Sequence, residues 1–196
     1  MASPKQPSLR EEIAASGETE LTTEEQAERE LFEDATFLGR EFLSWLVFHA
    51  EVEGGEFAAS DDLPAFTIQF GNRLVLRSPL GQITDLTMKG PAPVGSADLR
   101  YAIAGGLQVR QAELGIEVGE DQYQVVVEAP YFDLKRCKLP KLELEEEDAE
   151  LLAEERLQRL RLVNRLIAAA FAEFLALRTS SRWRRTLDKL RAWLKG

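Results

Sequence analysis

The sequence contains few of the residues that most often carry enzyme chemistry. Its 196 residues include one histidine, His49, and one cysteine, Cys137. A zinc site built from such side chains needs about three or four of them, and a lone thiol cannot close an intrachain disulfide. A nucleophilic pair of Cys137 and His49 is conceivable, but we favour a packed histidine and a small thiol on a strand. We therefore expect a non-catalytic protein without a metal or cofactor.

Other functional signals are also missing. No apolar run approaches roughly 18 residues, the length that indicates a membrane-spanning helix, and the N-terminus lacks the apolar segment of a secretory signal. No glycine-rich loop has the spacing of a phosphate-binding or dinucleotide-binding motif. The acids at 145–150 lack the glycine turn of a calcium loop, so we interpret them as a solvated helix start. Together with the lone cysteine, these absences predict a cytoplasmic protein.

Charge is present in quantity but is unevenly distributed. The chain carries a net charge of −10 at neutral pH. Residues 178–196 hold seven basic residues and one acid, which leaves +6 there and −16 on residues 1–177. An acidic body disfavours phosphate binding over its whole surface, whereas a basic C-terminal segment can supply a local nucleic-acid footprint.

The N-terminal part combines a polar tail with a long apolar helix. Residues 1–21 are acidic and rich in Ser, Pro and Glu, which predicts a disordered tail. A helix over about 24–52 follows, because apolar residues recur at steps of three and four along one face: Leu31, Ala35, Leu38, Phe42, Trp45 and His49. We expect this face to be buried. Arg40 and Glu41 interrupt the apolar run of the sequence, and they must reach solvent at the edge of the buried face or find a partner.

Alternating and β-branched residues in the middle of the chain predict strands, with a turn or bulge at Gly71-Asn72. The predicted strands span residues 65–76, 81–89, 107–118, 122–128 and 131–139, and a short helix spans 97–106. Helices at about 145–178 and 182–195 end the chain, with 179–181 as the N-cap cluster between them. We expect an α+β fold, in which long N- and C-terminal helices pack on a mostly antiparallel sheet of about four to five strands. One domain would span 22–178, followed by a basic amphipathic helix at 179–196.

The C-terminal helix is the main candidate for a binding surface. Trp183, Leu187, Leu190 and Leu194 form an apolar stripe, and cations occupy the remaining circumference. Such a helix can bind nucleic-acid phosphates, an anionic membrane or an acidic partner, or it can pack on the domain with its cations facing water. The candidate nucleic-acid-binding residues are Arg178, Arg182, Arg184, Arg185, Lys189, Arg191 and Lys195.

A smaller basic group surrounds Cys137. On a regular strand Arg136 and Lys138 share one face, while Lys135 and Lys141 point the other way. A single phosphate-binding groove is therefore not indicated in this segment without the help of tertiary contacts.

A family resemblance runs through the same elements. Its most specific part is GREFLSWL at 39–46, followed by an acidic residue, Gly54-Gly55 and a strand. The other matching segments are FGNRLVL at 70–76, LRYAIAGGLQVR at 99–110, the strand pair at 111–129, LKRCKLPKL at 134–142 and AEFLALR at 172–178. Over residues 35–178 the chain resembles the C-terminal half of the RdgC-like recombination-associated proteins.

This resemblance implies a non-catalytic protein that associates with DNA. RdgC-like proteins bind DNA without marked sequence preference and modulate recombinase-dependent recombination, and some of them form ring-shaped dimers. The resemblance therefore implies duplex DNA as a binding partner, self-association of the protein and a location in the nucleoid. The alternative is a protein-interaction module, a truncated family domain without DNA binding, which the net charge of −10 and the unmatched N-terminal half favour. A membrane contact through Trp183 and Trp193 has the weakest support.

Overall fold

The computed structural model describes residues 23–78, 85–141 and 149–196, with side chains from Leu38 onward. Thr36–Gly196 forms one compact unit and Met1–Ala35 falls in another, so the packing described below is that of the larger unit. The predicted tail at 1–21, most of the acidic run at 145–150 and the first residues of the strand at 81–89 lie outside the described residues.

The described residues contain four α-helices: α1 (Thr23–Val52), α2 (Ala97–Ala104), α3 (Ala149–Arg178) and α4 (Trp183–Leu194). The Ser96 hydroxyl caps α2 by accepting a hydrogen bond from the Leu99 N–H at 3.2 Å. After α1 the chain turns at Gly54 and Gly55, whose φ angles of 80° and 67° suit glycine and strain other residues. The predicted helices are thus confirmed to within a few residues where they are described.

The sheet is antiparallel. Its strands are β1 (Glu56–Phe57), β2 (Phe66–Arg77), β3 (Leu86–Lys89), β4 (Gln108–Val118), β5 (Asp121–Glu128) and β6 (Asp133–Lys138). The order is β1-β2-β4-β5-β6, and β3 also pairs with β2. The sequence analysis did not identify β1, because two residues carry no periodicity. The register of β2 shifts between Phe70 and Leu74, which confirms the predicted bulge.

The sheet buries one face, and none of the described helices packs on the other face. Alternate residues such as Ile68 of β2, Leu114 of β4 and Val125 of β5 are fully buried, and they share one core with α1 and α3. The residues between them, for example Gln69 and Gln124, point outward and are exposed. This two-layer arrangement confirms the α+β fold with a mostly antiparallel sheet.

The apolar face of α1 lies in the centre of this core. Phe42, Trp45 and His49 are 1%, 2% and 7% exposed, as the helical spacing predicts. The Trp45 ring stacks on His49 at 4.8 Å between centroids and lies 5.3 Å from Phe174 of α3. The aromatic residues of α1 therefore join it to α3 as well as to the sheet.

The C-terminal helix belongs to the same compact unit as the rest of Thr36–Gly196. Its first residue, Trp183, is 9% exposed and is part of the core. Residues 179–196, expected to form a segment of their own, are therefore integrated with the domain through apolar packing.

Candidate nucleic-acid interface

The apolar stripe of α4 docks this helix on its neighbours. Trp183 meets Phe174 edge-on, with ring centroids 5.9 Å apart. Trp193 packs edge-on against Phe48 of α1 at 5.8 Å and donates its indole N–H to Glu51 at 3.0 Å. Because both tryptophans are used in packing, the surface that α4 offers to a partner consists of its polar and charged residues.

Two of the seven predicted cations are held by acids of the domain. Arg178 donates from Nε to both carboxylate oxygens of Glu41, at 3.1 and 3.2 Å, and its guanidinium lies 4.9 Å from the Trp183 ring centroid. Lys189 lies 3.0 Å from Glu53, next to the end of α1. Arg178 and Lys189 thus help to hold the C-terminal part of the chain to α1. Glu41, which was expected to reach solvent or to find a partner, forms an ion pair with Arg178.

The single histidine belongs to the same set of contacts. His49 Nδ1 lies 3.0 Å from Glu53 Oε2, and His49 Nε2 lies 3.2 Å from the carbonyl oxygen of Glu56. Burial raises the pKa of Glu53, but the hydrogen bonds and charges of His49 and Lys189 outweigh it, so the pKa lies below its ordinary value. His49 is therefore a packed and hydrogen-bonded residue, as expected from its position on α1.

The other five predicted cations lie exposed: Arg182, Arg184, Arg185, Arg191 and Lys195. Arg191 lies 3.6 Å from Asp188, in an exposed pair of a kind that contributes little in water. The remaining four form no ion pair within the ranges that the structure describes. Arg184, Arg191 and Lys195 recur at helical spacing, so they share one side of α4.

Three of these arginines surround the N-terminus of α4. Arg182 is the N-cap residue and supplies no side-chain cap, and the first turn holds no acid. The prediction that 179–181 provides the N-cap is therefore wrong, although Ser180 Oγ accepts a hydrogen bond from the Arg182 N–H at 3.2 Å. A helix N-terminus carries roughly half a positive charge and favours acids, so Arg182, Arg184 and Arg185 concentrate like charge at one point.

A second basic surface lies on the outward face of the sheet, on which no described helix packs. A groove of about 210 Å³ crosses this face, and we call it the sheet groove. Arg73 of β2 stands on one side, and Arg136 and Lys138 of β6 stand on the other. The floor between them includes Gln111, Gln124 and Val126.

The sequence analysis missed this groove because its walls come from β2 and β6, which are joined through β4 and β5, and because a β-bulge changes the direction of Lys135. The register between β5 and β6 shifts between Val126 and Val127, which leaves β6 with one extra residue, Lys135. The Lys135 ammonium lies on the outward side, 3.3 Å from Glu128. The expectation that Lys135 points away from its basic neighbours is therefore wrong, and no single-strand pattern in the sequence signals the shift.

Next to the groove, the same face carries a chain of ion pairs. Asp85 lies 2.9 Å from Arg77 and 3.7 Å from Arg110, and Arg110 lies 2.8 Å from Glu128. Lys135 continues the chain to Glu128. The guanidinium groups hold the pKa of Asp85 below its ordinary value, with the Arg77 hydrogen bond as the largest cause. Lys135, which also lines the groove, is thus already paired, in contrast to Arg73, Arg136 and Lys138.

The remaining candidates for chemistry are the thiol of Cys137 and groups of metal-binding side chains. Cys137 is half-buried on β6, and burial raises the pKa of its thiol, which disfavours the reactive thiolate. Within the described ranges, no group of three or more His, Cys, Asp or Glu side chains is placed to hold a metal ion. Among the same residues, no helix has the length and apolar character that crossing a membrane requires.

Comparison of the chain with protein-family models, with curated proteins and with solved structures found no match. Function is therefore inferred from the residues and their arrangement.

Proposed function

We propose that this is a non-catalytic protein that binds duplex DNA through the phosphates, using the exposed cations of α4. The observation that carries the proposal is the N-terminus of α4, where three exposed arginines stand without an acid or a side-chain cap. The stripe of Arg184, Arg191 and Lys195 extends this positive surface along the helix.

Folding alone gives no reason for this arrangement. Acids at a helix N-terminus stabilise it by about 0.3–1 kcal/mol each, and cations there act in the opposite sense. A bound phosphate removes the repulsion, because it accepts hydrogen bonds from arginine side chains and from the N–H groups of the first turn. The three arginines therefore fit an anionic partner better than they fit the stability of the helix.

Phosphate contacts carry no direct information about base sequence. Binding through Arg182, Arg184 and Arg185 should therefore show little sequence preference. The resemblance of residues 35–178 to RdgC-like proteins supports the same function, including a role in recombination and a nucleoid location. Arg178 and Lys189, both paired inside the domain, are left out of the proposed interface.

The test compares two variants that remove the same charge. Arg184→Gln/Arg185→Gln changes the proposed interface, and Arg156→Gln/Arg161→Gln changes two arginines of α3. Gln has nearly the helix propensity of Arg, so neither change should unfold its helix. Duplex binding is measured by fluorescence anisotropy over a salt series. Loss of two phosphate contacts should flatten the log–log slope by up to about 1.8, and the control should change it much less.

A stability measurement on the same variants separates binding from packing. Because the N-terminal arginines repel the helix dipole, Arg184→Gln/Arg185→Gln should keep or slightly raise the unfolding midpoint while it weakens DNA binding. Equal DNA binding by this variant and the α3 control would contradict the proposed site. Undetectable duplex binding by the unmodified chain at low salt would remove the function and leave the protein-interaction module.

A further inference from the structure

The sheet groove holds cations that the fold does not use. Within the described residues Arg73 and Arg136 form no ion pair, and Lys138 donates only to Gln124 at 3.3 Å. This differs from the neighbouring chain of ion pairs, in which Arg77, Arg110 and Lys135 all meet carboxylates. The groove therefore concentrates uncompensated positive charge on a chain whose net charge is −10.

We propose that the sheet groove binds the sugar-phosphate backbone of one nucleic-acid strand, as a contact separate from α4. This inference rests on the proposed function in so far as both require nucleic acid as the partner. It adds a second surface, on the face of the sheet opposite the one that packs against the helices.

The charge balance of the groove favours phosphate. Four cations line it: Arg73, Arg136 and Lys138, which form no ion pair within the described residues, and Lys135, which is paired with Glu128. Glu113 is the one acid among the groove's lining residues. The Glu113 side chain lies over Gly71, where an added Cβ would approach its Cγ to 2.7 Å. Guanidinium groups match phosphate oxygens with two parallel hydrogen bonds, and the amides of the floor can donate to further oxygens.

The width of the groove favours the backbone of one nucleic-acid strand. Two strands, β4 and β5, separate β2 from β6. With neighbouring strands about 4.8 Å apart, the two cationic walls stand about 14 Å apart at the backbone, and their long side chains reach inward from there. The groove-lining residues include no aromatic ring, so bases have no surface on which to stack. Recognition should therefore depend on the backbone and not on the base.

Two alternative roles for these cations fit the arrangement less completely. Charged residues on an edge strand often prevent unwanted strand pairing, which would account for Arg136 and Lys138 on β6. That role does not account for Arg73, because β2 is paired on both sides. An acidic peptide would also be attracted, but the floor offers it only Val126 as an outward apolar contact.

The test removes one cation from each wall. Arg73→Gln/Arg136→Gln is compared with the α3 control Arg156→Gln/Arg161→Gln, which carries the same charge. The probes are single-stranded oligo-dT and oligo-dA of equal length, measured over a salt series by fluorescence anisotropy. Loss of two backbone contacts should flatten the log–log slope by about 1.4 relative to the unmodified protein, equally for both probes. The control should leave the slope close to that of the unmodified protein.

The outcomes distinguish this inference from the proposed function. Single-strand binding that the groove variant and the control reduce equally would overturn the groove and leave α4 as the interface. Binding that only the groove variant reduces would establish the groove even if the α4 variant had no effect. A polyglutamate that displaces oligo-dT at equal concentration of charges would show that the groove takes an acidic peptide, which also overturns the inference.

Discussion

Replacing Trp45 with alanine should lower the free energy of unfolding by about 3–5 kcal/mol, the range for emptying a large aromatic core site. The Trp45 ring is 2% exposed, and its neighbours Phe42, His49 and Phe174 have centroids 6.1, 4.8 and 5.3 Å away. Phe42 and Phe174 also pack against each other, with ring centroids 5.7 Å apart. Neither ring can therefore move into the cavity left by Trp45 without losing that contact. We therefore expect a value in the upper part of the range.

Trp45→Phe separates packing from hydrogen bonding at the same site. The indole N–H of Trp45 is buried and has no hydrogen-bond partner in the described part of the chain. An unsatisfied buried donor costs about 1–3 kcal/mol, and phenylalanine removes that donor while it keeps a six-membered ring. The cost of the smaller ring is thus partly offset, and the net destabilisation should stay below about 1.5 kcal/mol.

Urea unfolding of the three proteins, followed by far-UV circular dichroism, gives these values with a signal that does not depend on Trp45. Two-state analysis requires that the m-value stays constant across the series. A cost below about 1 kcal/mol for Trp45→Ala would mean that this face of α1 is not a core surface. Equal costs for Trp45→Phe and Trp45→Ala would mean that the indole N–H is bonded and that the ring contributes little.

Two further predictions concern the turn after α1 and the acid beside it. Gly55→Ala should destabilise the protein clearly more than Gly54→Ala in chemical denaturation, because both have positive φ but only a Cβ at Gly55 would collide with the carbonyl oxygen of Ile68. Equal effects would show that the cost comes from the positive φ of each residue and not from the contact with Ile68. The pKa of Glu53 is lowered from about 4.5 by folding, so its stabilisation is present above that pH and is lost as the pH falls through the folded value. The stability difference between the unmodified protein and Glu53→Gln should therefore shrink as the pH falls through about 4.5 and below, and a difference that grows on acidification would contradict this sign.

The parts of the fold that follow from local periodicity could be predicted from the sequence. The spacing of Phe42, Trp45 and His49 places them on one helical face, and all of them are buried. The alternation in β4 and β5 likewise separates buried from outward residues. Gly71-Asn72 marks a bulge because glycine is unusual inside a strand and often accompanies such a break.

The parts that depend on contacts between distant segments could not be predicted. Glu41 and Arg178 are far apart in sequence, and their pairing depends on how α3 packs against α1. The position of Lys135 depends on the register between β5 and β6, which its own strand does not encode. Arg73 joins the groove only because β4 and β5 bring β2 and β6 onto one continuous face.

The most direct test of the proposed function is the binding of the unmodified full chain to two unrelated duplexes of equal length over a salt series. Phosphate binding predicts equal affinities for the two sequences and a linear fall of log affinity with log salt, because each neutralised phosphate releases condensed counterions. With the exposed cations of α4 as contacts, the slope should be about −3 to −5. Binding that is undetectable at low salt, or that does not change with salt, would contradict phosphate recognition by this protein.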